Sequence, residues 1–363
     1  MIHFSFPKAG YLKHKEEIDL AVKDVLHSDI YIKGSHLTNF EKNFSNYVGS
    51  DYAIGVGNGT DALLLSLLSL DIQPGDQVLT VSHTATGTAS AIIQTGAIPV
   101  FVDIDPVTYT IDIDDLKKKI TKETKAIICV HLYGHPCNMD ELLSLSLEKK
   151  IPLIEDCAQS AGAEYNDKKV GSLGKLGCFS FFPTKNLSGI GDGGMVTTND
   201  KDLFDKIISM REYGWNKDRD SYIYGINSRL DELQAAILDV KLKYLEKDNE
   251  ERRSIAEYYK AAMTNTPAVL PYEDKKSKHV FHLFVIRVEK RENLIELLRT
   301  EGINPGIHYP NPVHTQTFFK RYKAVGLTQT DLAAQTVLSL PIYQGLTDQE
   351  VKHCADSVCK HLK

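Results

Sequence analysis

Residues 51–102 run DYAIGVGNGTDALLLSLLSLDIQPGDQVLTVSHTATGTASAIIQTGAIPVFV. The short apolar runs at 53–56, 77–81 and 99–102 are bounded by turn-forming or charged residues and read as buried strands. Between them, 61–70 and 84–95 carry helical periodicity and open on Asp61 and Thr84, as capped helices do. This alternation predicts a mainly parallel sheet covered by helices. It continues outward through strands at 126–132 and 152–154 and helices at 113–120 and 139–149. After Gly177, strands at 178–182 and 194–198 flank the loop 183–193, a return excursion at the sheet. Residues 231–263 predict one long or kinked helix, the expected boundary between a first unit, 1–240, and a second, 241–363. The second reads as a small α+β domain, with a strand at 281–288 and helices at 291–301, 331–338 and 347–362.

The 363 residues are 42% hydrophobic and 25% charged, ordinary globular usage that excludes a largely disordered or fibrous chain. Net charge is −6, and no Lys/Arg block exceeds Lys117–Lys119, so nothing makes an electrostatic case for nucleic acid or an anionic membrane. The apolar stretch 62–70 is interrupted by Ser66 and Ser69 and is about half the length of a membrane span. MIHFSFPKAG lacks the basic start and apolar run of a signal peptide, so a cytoplasmic protein is expected. The six cysteines form no C-x-x-C pair and read as structural thiols, with no metal site expected.

Three segments carry chemistry. Gly55-Val56-Gly57-Asn58-Gly59-Thr60-Asp61 follows a strand and opens a helix, where free N–H groups and the helix dipole favour an anion. Thr60 stands where the dinucleotide fingerprint needs glycine, which weighs against a nicotinamide-dependent oxidoreductase. Glu155-Asp156-Cys157-Ala158-Gln159-Ser160 puts Asp156 just past a strand's carboxyl end, the edge where open α/β sheets bind ligands. Ser180-Phe181-Phe182-Pro183-Thr184-Lys185-Asn186 places Lys185 between an apolar strand and a Gly-rich loop, where partial desolvation lowers an amine's pKa. Each alone has a plainer reading: a turn, a helix cap, a snorkelling lysine. Taken together, an anion cradle, an acid and an activatable lysine on one sheet edge are what pyridoxal 5'-phosphate requires.

The runs GNGTDAL, SHTATGTASAI, FVDIDPVTYTID, HLYGHP, EDCAQSAGA, GCFSFFPTKNLSGIGDGGMVTTND, NSRLDELQAAIL and GIHYP, in order along nearly the whole chain, resemble the DegT/StrS family of nucleotide-sugar aminotransferases. The resemblance implies fold type I of the pyridoxal phosphate enzymes: an α/β large domain with a mixed, mostly parallel seven-stranded sheet, a small C-terminal domain, and a homodimer with shared active sites. Lys185 matches the lysine that bonds the cofactor's aldehyde and later moves the proton between carbons. Asp156 matches the acid on the pyridine nitrogen, and Gln159 the residue packed by the ring. Gly59, Thr60 and Ser180 match phosphate-binding positions, and Asn227 one that reaches the phosphate from the other subunit. His308 and Tyr309 match the stretch near the sugar. Ala85 stands where many members carry an aromatic that stacks on the cofactor, so His83 is the expected cover, with a core or loop histidine as the alternative.

The resemblance further implies a two-stage reaction in which L-glutamate leaves its amine and a nucleotide-linked keto sugar takes it. HLYG, FFPTKNLSGIGDGG and GIHYP look most like members that aminate carbon 3 of dTDP-linked 3-keto-6-deoxyhexoses, for surface glycans such as lipopolysaccharide O-antigen or for natural products. The alternatives are carbon-4 amination of a UDP-, dTDP- or GDP-linked sugar, or a non-catalytic regulator on the same fold. Arg229, Lys217 and Arg219 are donors that would offset the substrate diphosphate.

Overall fold

The computed structural model describes residues 1–362; Lys363, the last residue of the expected second unit, lies outside them. Seven strands, β1 (Tyr52–Val56), β2 (Gln77–Val81), β3 (Ile98–Val102), β4 (Thr124–Val130), β5 (Leu153–Asp156), β6 (Leu176–Ser180) and β7 (Gly194–Thr198), form one sheet in the order β1-β7-β6-β5-β4-β2-β3. β7 runs antiparallel to both neighbours, and every other pairing is parallel. The expected mixed sheet and its return excursion are therefore present.

The strands read as continuous apolar runs because both faces are covered. Ile127, Cys129 and Leu153 join one buried cluster, while Ala126, Ile128 and Ile154 join another, as the two-residue period of a strand requires. Register then fixes the site's edge. Val130 pairs with Asp156, Asp156 with Cys178, and Gly194 faces both Ser180 and Val56. The carboxyl ends of β1, β4, β5 and β6 are thus brought level.

Helices α1 (Ser35–Val48), α2 (Gly59–Ser69), α3 (Thr86–Gln94), α4 (Glu232–Leu242) and α5 (Leu245–Met263) surround this frame. The N-terminus of α1 has no side-chain cap of its own. Buried Glu232 serves instead, accepting from the N–H groups of Gly34 (2.8 Å), His36 (2.9 Å) and Leu37 (3.1 Å). The expected helix over 231–263 breaks at Lys243–Tyr244, where the Tyr244 ring stacks on His14 with centroids 3.9 Å apart.

The smaller sheet corrects two expectations. The helix expected over 331–338 ends at Thr336, and β9 (Val337–Leu340) pairs antiparallel with β8 (Phe284–Arg287). Val337 to Leu340 are all buried, so backbone pairing under a covered face wins over continuation of the helix. The strand expected over 281–288 is shorter because Phe281 has a positive φ of 43°. Ile2–His3 pairs in parallel with Ile303–Asn304, tying the N-terminus to this C-terminal part. Cys129, Cys137, Cys157, Cys178 and Cys354 are buried thiols outside any disulfide. No helix among the described residues is long and apolar enough to cross a membrane.

Candidate active site

The anion cradle forms where β1 hands over to α2. Asn58 caps the helix, its Oδ1 accepting from Asp61 N at 2.9 Å. Gly59, the first helical residue, lies so close to β6 that an added Cβ would stand 2.7 Å from Ser180 Cβ. Gly87, in the first turn of α3, is equally tight on Thr60, whose Oγ1 would lie 2.8 Å from an added Cβ. Gly59, Thr60, Ser180 and two helix starts therefore converge, with the positive ends of both dipoles at one point.

Asp156 ends β5 and is 4% exposed. Its Oδ2 accepts from Thr88 Oγ1 at 2.8 Å and its Oδ1 from Ala158 N at 3.1 Å. Burial pushes its pKa up, and those two donors, with Lys185 beyond them, pull it back. Among the described residues it has no ion-pair partner within 4 Å. Lys185 lies five residues past β6, with its N–H donating to the Phe182 carbonyl at 2.9 Å. Burial lowers its ammonium to about 8, with Asp156 opposing that fall.

Lys185 faces a cavity of about 270 Å³ that is also lined by Gln159, His282, His308 and Tyr309. Gln159 Oε1 accepts from Tyr133 N at 2.7 Å, and its Nε2 donates to the Tyr309 hydroxyl at 2.9 Å. Burial, aided by the charge of Lys185, holds His308 down to about 4, so it is neutral near pH 7. Burial pushes Tyr309 up to about 12. A larger cleft of about 550 Å³, lined by residues such as Asp105, Asn138 and Glu141, contains none of these groups.

His83, Asn227 and Arg229 do not line the Lys185 cavity. His83 is fully buried, with Nε2 2.7 Å from the Tyr133 hydroxyl, and its ring packs on Tyr109 and Tyr133. This burial is compatible with the core-histidine alternative, and the ring's Nδ1 is buried without a partner. Asn227 is exposed. Its neighbour Ser228 joins the cradle, accepting from Gly57 N at 2.9 Å and donating to Asp61 Oδ2 at 2.7 Å. Arg229 is half-buried, 3.7 Å from Glu212.

The sequence reading missed Thr88, Tyr133 and His282. Thr88 lies in the first turn of a helix that follows a strand, a legible place for a site residue. His282 was not legible: it reaches the cavity from just before β8, with Nδ1 3.2 Å from Asn186 Oδ1. The Asn186 amide nitrogen donates to Asn249 and Val280, which turns its oxygen toward His282 and puts the histidine's proton on Nδ1.

Nearby, His131, Glu155 and Cys157 bring potential metal-ligand atoms within 4.8 Å of one another. Glu155 is already occupied by the N–H groups of Gly171 (2.8 Å), Leu173 (2.8 Å) and Gly174 (2.6 Å) and by His131 Nε2 (3.0 Å). His131 Nδ1 accepts from Cys137 N at 3.0 Å. The group is satisfied internally.

An unpaired buried carboxylate, a lysine with a lowered pKa on a cavity, and a cradle that a single Cβ would fill are the three requirements of pyridoxal phosphate, and the residues present fit it. The chain belongs to the DegT/DnrJ/EryC1/StrS aminotransferase family, whose model matches residues 12–359. It is an aminotransferase that uses pyridoxal phosphate. Among relatives, it is 42% identical to dTDP-3-amino-3,6-dideoxy-alpha-D-galactopyranose transaminase of Aneurinibacillus thermoaerophilus, over 99% of each chain. It is 39% identical to a pleiotropic regulatory protein of Geobacillus stearothermophilus (96% of this chain, 95% of the other). It is 37% identical to UDP-N-acetyl-3-dehydro-alpha-D-glucosamine 3-aminotransferase of Acidithiobacillus ferrooxidans (98% and 96%). Among solved structures, S. venezuelae DesV in complex with a ketimine intermediate superimposes with a TM-score of 0.97 at 37% identity, covering 100% of this chain and 98% of the other. Bacillus subtilis NtdA with bound cofactor PMP gives 0.90 at 31% identity, covering 96% and 82%.

Proposed function

We propose that the enzyme moves the amino group of L-glutamate to carbon 3 of a dTDP-linked 3-keto-6-deoxyhexose, giving a dTDP-3-amino-3,6-dideoxyhexose for a surface glycan or natural product. The observation that carries this reading is the single cavity shared by Lys185, Gln159, His308 and Tyr309, with Asp156 beside the lysine. The two enzyme relatives named above support the position: their names specify different nucleotides but the same carbon, 3.

When bound, pyridoxal phosphate supplies an aldehyde to carry the amine and a ring that draws electrons from the carbon being deprotonated. Lys185 would bond it and, with a pKa of about 8, both take and return a proton near neutral pH. Asp156, held by Thr88 and Ala158, would keep negative charge facing the ring nitrogen. Gly59, Thr60 and Ser180 would hold the phosphate, and Gln159 would pack against the ring. His308 and Tyr309 would face the sugar, and Arg229 would offset its diphosphate once turned from Glu212.

The reading includes a cytoplasmic homodimer in which Asn227 reaches the partner's phosphate site. Asn227 is exposed, and exposed Phe182, Ile190, Tyr213, Tyr222 and Tyr224 supply apolar surface for such a contact. The two units would be 1–240 and 241–363, a division three residues before the helix break at Lys243–Tyr244.

Absorption spectra of the purified protein test this, recorded before and after L-glutamate and then after each candidate keto sugar, with Lys185→Ala alongside. A yellow band that glutamate bleaches and only a dTDP-3-keto sugar restores supports the full reading. Restoration by a 4-keto sugar instead moves the chemistry to carbon 4. A wild type with no band after added cofactor removes catalysis and brings the regulator reading forward.

A further inference from the structure

Tyr133 is the residue of the His131-Leu132-Tyr133-Gly134 turn that no role above absorbs. It is 2% exposed and reaches the site through both main chain and side chain. Its N–H holds Gln159 Oε1, and Gln159 Nε2 holds the Tyr309 hydroxyl. Its own hydroxyl donates to the His308 carbonyl oxygen and touches His83 Nε2. These contacts close a loop through Tyr133, Gln159, Tyr309 and His308. One tyrosine therefore fixes both residues of the short segment His308–Tyr309, a strap along the cavity: His308 directly, and Tyr309 by way of Gln159.

The directions of the protons follow from valence. A carbonyl has no proton to give, so the single phenolic proton of Tyr133 points to His308. The other contact must then be donated by His83 Nε2–H. That leaves His83 Nδ1 as the bare nitrogen, and it is buried without a partner. Burial holds the ring neutral, at about 4, which suits a donor with one proton. The chain of donation runs one way, His83 to Tyr133 to His308.

We propose that Tyr133, oriented by His83, is a positioning residue for the amino-acceptor half of the reaction, holding the His308–Tyr309 strap where it admits the nucleotide-linked sugar. This rests on the reading that the strap faces the sugar. Packing alone would not need the hydroxyl: the Tyr133 ring lies 5.6 Å from Tyr109 and 6.1 Å from His83, contacts that phenylalanine would keep.

The test uses the holoenzyme and follows both half-reactions. Tyr133→Phe is expected to raise KM for a dTDP-linked 3-keto-6-deoxyhexose about tenfold, the size of one hydrogen bond lost with its acceptor left buried. The rate of the glutamate half-reaction should change less than about twofold, because the backbone N–H that holds Gln159 remains. An unchanged sugar KM, or equal loss in both halves, overturns the proposal. Should Tyr133→Phe not fold, His83 decides. His83→Leu raising the sugar KM, with His83→Gln restoring it by donating from its amide, supports the proposal, whereas equal KM values in the two variants overturn it. His308→Asn separates the two layers. If its sugar KM is unmoved, the strap does not face the sugar and the underlying reading falls. If it rises while that of Tyr133→Phe does not, only the present proposal falls.

Discussion

Asp156 ends β5, Lys185 follows the neighbouring β6, and each shifts the other's proton affinity. The carboxylate raises the lysine's, the ammonium lowers the acid's, and burial opposes both. The pair is too desolvated for either charge to be indifferent to the other.

The first consequence is a pH dependence in the apoprotein. Lys185 falls to about 8 from an ordinary 10.5. Below about pH 8 both folded and unfolded chains hold the proton, and the folded state bears the whole cost of burying it. Between the two values the unfolded chain keeps a proton that the folded one has shed, so stability rises with pH. Lys185→Met removes this contribution. Urea unfolding at about pH 7 and about pH 10 should show wild-type apoprotein gaining roughly 2–3 kcal/mol more than the variant. Parallel changes in the two proteins would show that the ammonium is not desolvated.

Asp156→Asn tests the acid. Asparagine keeps the shape, but one of its two ends is an NH₂ group facing Thr88 Oγ1 or Ala158 N, where a carboxylate accepted from both. Turnover should fall by roughly 10²–10³, the size of one preorganised electrostatic contact. Stability should fall only modestly, because the buried charge leaves with its penalty. Turnover within about tenfold of wild type would show that the acid does not serve the chemistry.

Gly59→Ala tests the cradle. The new Cβ would lie 2.7 Å from Ser180 Cβ and 3.3 Å from its Cα, so strand and helix must part. Affinity for pyridoxal phosphate, titrated by absorbance, should drop at least about tenfold, with about 1–3 kcal/mol lost from overpacking. Adding Ser180→Gly removes the clashing atom and should recover the stability more than the affinity, since a hydroxyl at the cradle goes with it. A single variant that binds cofactor as the wild type does would place the phosphate elsewhere.

The residues legible beforehand share one property: their chemistry is announced by immediate neighbours. Lys185, Asp156 and Gly59 each sit at a junction between an apolar run and a Gly-rich or polar turn, and such junctions mark a sheet's carboxyl edge. What was not legible depends on pairing across the chain. Glu232 caps α1 from 198 residues beyond Gly34, and nothing near either marks the other. Val337–Leu340 is a strand only because Phe284–Arg287 lies beside it. The run HVFHLF around His282 is equally silent, since that histidine is aimed by the distant Asn186. His83 was expected over the cofactor because Ala85 left that place open, and the two tyrosines beside its ring, Tyr109 and Tyr133, come from distant parts of the chain that nothing near His83 announces.

The adjacent acids Glu155 and Asp156 give the sharpest separation between folding and catalysis. Successive strand residues point to opposite faces, so Asp156 and Glu155 serve different neighbourhoods. Glu155 accepts from three backbone N–H groups and His131 Nε2, closing the 171–174 turn against β5. Glu155→Gln leaves an NH₂ end facing donors in a fully buried site, at a cost of roughly 3–5 kcal/mol by the usual behaviour of broken buried charge networks. The folded fraction should still bind cofactor and turn over at near wild-type rate, because no substituted atom lines the cavity. Thermal unfolding and turnover per bound cofactor, measured on Glu155→Gln and Asp156→Asn together, should therefore move in opposite pairs: stability lost with activity kept, and activity lost with stability largely kept. Loss of both properties in Glu155→Gln would mean that the turn behind the sheet is coupled to the acid in front of it.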